Sequence, residues 1–330
     1  MRWGIIGYGW VARDYMAPGI RAAGGSVTAV CDPLPAARAR AQSDGAQVYD
    51  SVPAMLAQGR LDAVYIATPN HLHAEAIEQV AEAGIPMLCE KPLAQDISGL
   101  ERIATVAARG NMRMGTAFDQ RHHPAHDIIR RRIAQGDLGT VTAIRIVYCC
   151  WVDPGWSRGT GDNWRADQLC AGGGAVLDLA PHGLDLAQYL TGEQVEQLGM
   201  VLQRRVHDYR VEDGGMITGR TASGILFSSH TSYNWPEELP RRRLEIAGTD
   251  AMIVASDTMG QDAGGHMTRI DARDGSSEAL AFDTATTPFA RQAQAFARFA
   301  KGEETGFDIA RDIAAARAFF AAFEGARSCL

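Results

Sequence analysis

Of the 32 Lys and Arg residues in this chain two are lysine, Lys91 and Lys301, and Lys91 lies in the run Cys89-Glu90-Lys91-Pro92. An ammonium group loses its proton when partly desolvated, whereas a guanidinium effectively keeps its own. A sequence that writes arginine almost everywhere and lysine here points to a titratable amine, against the plainer reading of a surface lysine. A second cluster reads Gly172-Gly173-Gly174-Ala175-Val176-Leu177-Asp178-Leu179-Ala180-Pro181-His182. Asp178 and His182 are four residues apart, so a helix stacks them on one face. A carboxylate beside an imidazole fixes its tautomer and raises its basicity. Pro181 removes a helical donor, so the run also reads as a bent turn with the helix starting near Pro181, or simply as a capped, buried helix start. An amine and an imidazole together suit proton transfer at a substrate oxygen whose developing charge must be stabilised.

Gly7-Tyr8-Gly9-Trp10-Val11-Ala12 follows the first apolar run and opens a helical one. It reads G-x-G-x-x-A, a permitted form of the dinucleotide fingerprint. The first glycine makes the tight turn and the second lets the backbone approach a pyrophosphate. The helix N-terminus then offers amide groups and a positive dipole end to that anion. Asp32 closes the second strand, 20 residues past Ala12. A carboxylate there accepts from an adenosine ribose hydroxyl and repels a 2′-phosphate, which favours NAD over NADP. Its plain reading is a turn residue before Pro33, and Arg38 and Arg40 keep NADP open.

Thr68-Pro69-Asn70-His71-Leu72-His73 follows the strand at 63–67. In an open parallel sheet that carboxyl edge forms the ligand crevice. Asn70 is also a good helix N-cap, and His71 and His73 read equally well as surface residues. Glu90-Lys91-Pro92 ends the next strand at the same edge, which aims Lys91 into the crevice.

These residues need a scaffold that brings distant strand ends together. The first third alternates strands (3–6, 27–31, 63–67, 86–89, 112–116) with helices (11–23, 35–43, 74–83, 97–109). Near-continuous apolar strands alternating with helices predict a parallel sheet covered on both faces. After about residue 118 the pattern changes. A helix at 125–135 leads to a strand at 141–150, a loop rich in Trp, Gly and Asp at 151–162, and a helix at 175–190. Six strand-like runs separated by short turns then predict an antiparallel sheet, and two helices (288–300, 309–324) close the chain. The expected division is 1–118 and 119–330, tightly joined, because no low-complexity linker intervenes.

With 330 residues, 46% hydrophobic and 22% charged, the chain is ordinary globular protein of two-domain size. A net charge of −7 argues against a nucleic-acid partner. No apolar run reaches the ~18 residues a membrane span needs, and the N-terminus lacks the pattern of a secretory signal. Six scattered cysteines without metal-ligand spacing fit free thiols in a reducing cytoplasm.

Taken in order, Gly7–Ala12, Ala67–His73, Glu90-Lys91-Pro92 and Gly172-Gly173-Gly174…Asp178…His182 resemble the successive signatures of the Gfo/Idh/MocA oxidoreductase family, and the similarity covers nearly the whole chain. The resemblance implies an N-terminal Rossmann domain and a C-terminal α+β domain with an open, mostly antiparallel sheet that forms oligomer contacts. It implies that Lys91, Asp178 and His182 occupy the catalytic positions. It places Gly7, Tyr8, Gly9, Trp10, Val11, Asp32, Thr68, Asn70, His73, Glu90 and Lys91 around the cofactor, NAD with NADP left open. The substrates it implies are sugars, polyols and related small alcohols or carbonyls. Hydride leaves carbon for nicotinamide while a base takes the oxygen's proton. His182 suits the base and Lys91 the stabiliser, although sequence leaves the two roles interchangeable. Asp178 would orient His182 or bind a neighbouring hydroxyl. Two alternatives stay open: a glycoside hydrolase working by transient oxidation with bound NAD, and a non-catalytic sugar or dinucleotide sensor.

Trp164, Arg165 and Arg121 are the expected substrate contacts, with Trp151 and Trp156 as weaker candidates. His122, His123 and His126 read as a solvated helix start, with no metal expected. Arg130-Arg131-Arg132 and Arg241-Arg242-Arg243 read as solvated faces or ion-pair partners.

Overall fold

The computed structural model describes residues 1–110, 112–156, 163–304 and 306–329. Part of the Trp- and Gly-rich loop, 157–162, therefore lies outside the described residues.

Strands β1 (Arg2–Ile6), β2 (Ser26–Cys31), β3 (Gln47–Tyr49), β4 (Ala63–Ile66), β5 (Met87–Cys89) and β6 (Met114–Thr116) form one sheet in the order β3-β2-β1-β4-β5-β6. Every pair in it is parallel. Its strands are buried on both faces, which explains their unbroken apolar runs. Helices α1 (Ala17–Ala22), α2 (Pro35–Ser43), α3 (Val52–Gln58), α4 (His73–Glu82) and α5 (Ile97–Ala107) make the crossovers. Strand order reverses between β1 and β4, and a crevice opens where such a reversal occurs. The Gly7 and Thr68 turns leave those two strands and so flank it. The short β3 and α3 escape the sequence reading, because three residues carry too little periodicity. The helix expected at 11–23 opens with a π-helical turn, Ala12–Met16.

After β6 the chain forms α6 (Pro124–Ala134), the long β7 (Val141–Cys149), the short α7 (Gln168–Ala171) and α8 (Ala175–Thr191). Strands β8 (Val195–Gln203), β9 (Gly214–Thr221), β10 (Leu226–Ser232), β11 (Arg242–Gly248), β12 (Ala251–Ser256), β13 (His266–Asp271) and β14 (Ser277–Ala279) join β7 in a second sheet ordered β14-β13-β12-β11-β7-β10-β9-β8. It is antiparallel except where β10 runs parallel to β7. Helix α8 packs against β7, β9 and β10. It is one continuous helix through Pro181, so the bent-turn alternative is not adopted.

The last two helices, α9 (Pro288–Lys301) and α10 (Ile309–Arg327), return to the first sheet's layer. On α9, Phe296 lies 5.5 Å from Trp3 and Phe289 stacks on Tyr15 at 5.4 Å. Helix α10 packs on α5 and β8, touching both halves. A buried ion network ties the same joint. Arg121, in the turn after β6, donates to Asp185 of α8 (2.9 and 3.0 Å) and to Asp312 of α10 (2.5 Å). Arg311 adds a further bond to Asp185 at 3.2 Å.

Replacing Arg121 with Met leaves Asp185 and Asp312 buried without their main counter-charge. The expected loss is about 3–5 kcal/mol of unfolding free energy in urea; an unchanged midpoint would refute this role.

Candidate active site

The glycine run before α8 exists for close approach. Gly172 has φ +90°, and a Cβ there would stand 1.9 Å from the Gln95 carbonyl oxygen, in the loop that follows Lys91-Pro92. Only glycine meets both constraints. The first turn of α8 is capped from a distance: Glu212 accepts from the amides of Gly174 (2.8 Å), Val176 (3.1 Å) and Leu177 (3.3 Å). A buried carboxylate thus satisfies donors that the helix cannot pair itself. So anchored, α8 presents Asp178 in its first turn and His182 one turn later.

Lys91 leaves β5 and crosses to α8. Its Nζ donates to the Asp178 backbone oxygen (2.9 Å) and to Asp178 Oδ1 (2.7 Å). Tyr233 donates its hydroxyl to Asp178 Oδ2, and Arg165 Nε lies 4.0 Å from the same oxygen. Burial raises the Asp178 pKa, but Lys91 and Arg165 outweigh it and hold the carboxyl well below its usual range. Asp178 is therefore committed to Lys91 and Tyr233, not to His182 as the four-residue spacing predicts. The shared helix face is real; the carboxylate simply finds a full positive charge closer than the ring.

His182 turns instead to Asp119, in the turn after β6. Nδ1 is 3.4 Å from Asp119 Oδ1, near but outside hydrogen-bond geometry, and makes no other bond. The ring stands edge-on to Tyr148 (5.4 Å) and Phe118 (6.5 Å). Burial and then the Lys91 charge push its pKa well below normal, so the imidazole is neutral. Burial, and next the Glu90 charge, raise Asp119 to about 7. Glu90 accepts from the Tyr65 hydroxyl and is itself raised by burial.

A groove of about 340 Å³ runs along the carboxyl edge of the first sheet, lined by Gly7 to Val11, Asp32, Thr68, Asn70, Glu90 and Lys91. Gly7 adopts φ +88° against the Ala67 carbonyl, and nothing lies within 4 Å of where a Gly9 Cβ would stand. Thr68 Oγ1 is buried here without a protein partner. Open backbone, an orphan hydroxyl and an acidic strand end fit a dinucleotide. Asp32 accepts from the amides of Tyr8 (2.7 Å) and Leu34 (2.8 Å), while Arg38 donates to the Asp32 and Pro33 carbonyls (2.7 and 2.8 Å). Asn70 does not cap α4; its amide donates to the Ala171 carbonyl at 2.9 Å and joins the two halves. His73 is fully buried behind the groove, its nitrogens 3.0 Å from Pro92 O and 2.9 Å from Thr68 O.

The groove opens at Lys91 and Asp178 into a second cavity of about 320 Å³, whose walls include His182, Tyr148, Tyr233 and Arg242. Trp10 and Trp156 in its wall meet edge to face at 5.8 Å, and Arg165 lies over Trp164 (4.4 Å) and Trp156 (5.2 Å). Trp164 and Arg165 line the groove, and Arg165 and Trp151 the second cavity. Arg121 belongs to neither: Asp185 and Asp312 neutralise it in the interior, which corrects its reading as a substrate contact. His123 and His126 are likewise buried, not solvated; His126 holds Gln120 O (2.8 Å) and Thr258 Oγ1 (3.1 Å). Among the described residues no three His, Cys, Asp or Glu gather as a metal site. Sequence reasoning missed Asp119, Tyr148, Tyr233 and Arg242. Asp119 alone had a signal, since it follows a strand at the same sheet edge as Thr68 and Glu90.

Residues 1–118 match the oxidoreductase family with an NAD-binding Rossmann fold, and residues 126–254 match the GFO/IDH/MocA C-terminal domain. The chain is 28% identical to 1,5-anhydro-D-fructose reductase of Ensifer adhaerens over 96% of both chains. It is 26% identical to D-xylose 1-dehydrogenase (NADP(+)) 2 of Haloferax volcanii, over 99% of this chain and 98% of that one. A levoglucosan dehydrogenase in complex with NADH and levoglucosan shares the fold with a TM-score of 0.86 at 23% identity, over 99% of this chain and 97% of that one.

The raised Asp119 pKa carries a stability consequence. The folded protein binds this proton more tightly than the unfolded chain, so the group's contribution is fully present below ~3.9 and is lost as pH rises toward about 7. Asp119→Asn is expected to gain stability relative to wild type across that window, read from urea midpoints at several pH values. A difference independent of pH would contradict the raised pKa.

Proposed function

Because the chain belongs to the Gfo/Idh/MocA family of NAD-binding oxidoreductases, we propose that it moves a hydride between nicotinamide and a carbinol or carbonyl carbon of a sugar, polyol or related compound. One observation carries this reading: Lys91 and His182 wall a single cavity into which the dinucleotide groove opens. The named substrates of the relatives, anhydrofructose and xylose, support the substrate class. In the division we propose, residues 1–118 hold the nucleotide and 119–330 serve substrate and self-association.

The Gly7–Val11 turn, Asp32, Thr68 and Glu90 would hold the cofactor, which when bound supplies or accepts the hydride. Two bonds to Asp178 hold the Lys91 Nζ where it stabilises negative charge on the reacting oxygen. His182 exchanges the proton through Nε2, since its Nδ1 is buried against Asp119. Protonating a buried ring is costly, and the Asp119 carboxylate offsets that cost. Tyr233 and Asp178 fix the ammonium, and Trp156 and Arg165 close the cavity against water.

The outer face of the second sheet exposes Val201 (73%), Met216 (52%) and Leu226 (61%) on neighbouring strands, which supports a homo-oligomer through that sheet. No helix among the described residues is long and apolar enough to cross a membrane. Six unpaired cysteines support a reducing, cytoplasmic setting.

Lys91→Ala and His182→Ala are each expected to lower kcat by about 10²–10⁴ in stoichiometric NADH formation or consumption, with NADH affinity by fluorescence titration little changed. Wild-type turnover in the Lys91 variant would remove its role. Asp32 should favour NAD, because its carboxylate repels a 2′-phosphate. Asp32→Ala is expected to shrink the NAD-to-NADP ratio of kcat/KM by tenfold or more; an unaltered ratio would show that Asp32 does not select the cofactor.

A further inference from the structure

Among the described residues the second cavity carries four cations, Lys91, Arg165, Arg241 and Arg242. Three of them have carboxylates: Lys91 and Arg165 share Asp178, and Arg241 pairs with Glu237 at 3.4 Å. Arg242, half-buried as a residue, has none within ion-pair distance among the described residues, and its buried Nε makes no hydrogen bond. Its guanidinium carbon lies over the face of Tyr148 at 5.8 Å, and its Nη1 packs against Gly260, where an added Cβ would stand 2.5 Å away. The sequence alone reads Arg242 as part of a solvated face or as an ion-pair partner. In the structure it opens β11 directly across from Tyr148, the residue that stands against His182. An unneutralised guanidinium thus sits one aromatic ring from the reacting centre, inside a walled cavity.

We propose that Arg242 binds a carboxylate of the substrate, so that the enzyme acts on a sugar acid rather than a neutral sugar. This rests on the hydride-transfer reading above and narrows its substrate class. A guanidinium offers a planar fork of donors that matches a carboxylate with two parallel bonds. In a confined site with low-dielectric walls that interaction is stronger than on an open surface. Lys91 and Arg165 share one carboxylate and Arg242 has none, so the cations at this end of the cavity outnumber their ion-pair partners and favour an anionic substrate group.

The test pairs each acid with its neutral and phosphorylated counterparts: glucuronate, glucose and glucose 6-phosphate; galacturonate, galactose and galactose 6-phosphate. Each is assayed with NAD(H) and NADP(H) in both directions. Calorimetry then measures glucuronate binding to the enzyme–NADH complex. Acids are expected to show at least tenfold higher kcat/KM than their neutral partners. Arg242→Gln should raise KM for the acid tenfold or more with a smaller change in kcat, and Arg242→Lys should recover part of the loss. Glucuronate binding that Arg242→Gln abolishes, without turnover, sustains the subsite and rejects the proposed reaction. Neutral sugars or phosphates turned over as well as or better than acids, or acid binding indifferent to Arg242→Gln, overturn the subsite. Absence of both acid turnover and acid binding overturns it too.

Discussion

The site hangs on one ammonium. Lys91 comes from the end of a parallel strand, and its two acceptors belong to a single residue of a helix in the other half, one on the backbone and one on the side chain. Charge-assisted bonds of this kind fix direction as well as distance. Removing either partner leaves a charge in a largely dry cleft, which is costly. The contact therefore joins the dinucleotide groove to the second cavity and also fixes where α8 begins relative to the sheet. Gly172 and Glu212 make that docking possible, one by lacking a side chain and the other by capping the helix from a remote loop.

Desolvation then sorts the remaining protons. The same burial pushes carboxyls up and imidazoles down, and nearby charges decide which groups escape. Asp178 escapes through Lys91 and Arg165 and stays ionised. Asp119 has no Lys or Arg bonded to it among the described residues and rises to about 7. His182 faces Asp119 and stays neutral. Of the two carboxyl groups in one cleft, Asp178 thus stays ionised while Asp119 titrates near neutrality. Arg121 illustrates the converse. Surrounded by Asp185 and Asp312 it keeps its charge in the interior, and it works as a rivet between β6, α8 and α10.

Much of this was legible in the residues. Alternating apolar strands and helices disclosed the parallel sheet, and the strand-end positions of Gly7, Thr68 and Glu90 disclosed a shared edge. Those features depend on neighbours within a few residues. Residue type and helical spacing likewise singled out Lys91, Asp178 and His182, and the fold brings all three to the wall of one cavity. The readings that failed were statements about partners. Asp178 looked like a partner of His182, Arg121 like a ligand contact, Arg242 like surface, and His123 and His126 like a solvated turn.

By itself the chain determined which elements form and which chemistry-bearing residues stand at their ends, because hydrogen-bond periodicity, glycine turns and caps are local. Only the tertiary structure decided the pairings Lys91 with Asp178, Asp119 with His182, and Arg121 with Asp185 and Asp312. Each joins segments more than 60 and up to 191 residues apart, and charge in a low-dielectric interior follows distance in space. A carboxylate four residues from an imidazole has no claim on it once a lysine from another strand stands closer.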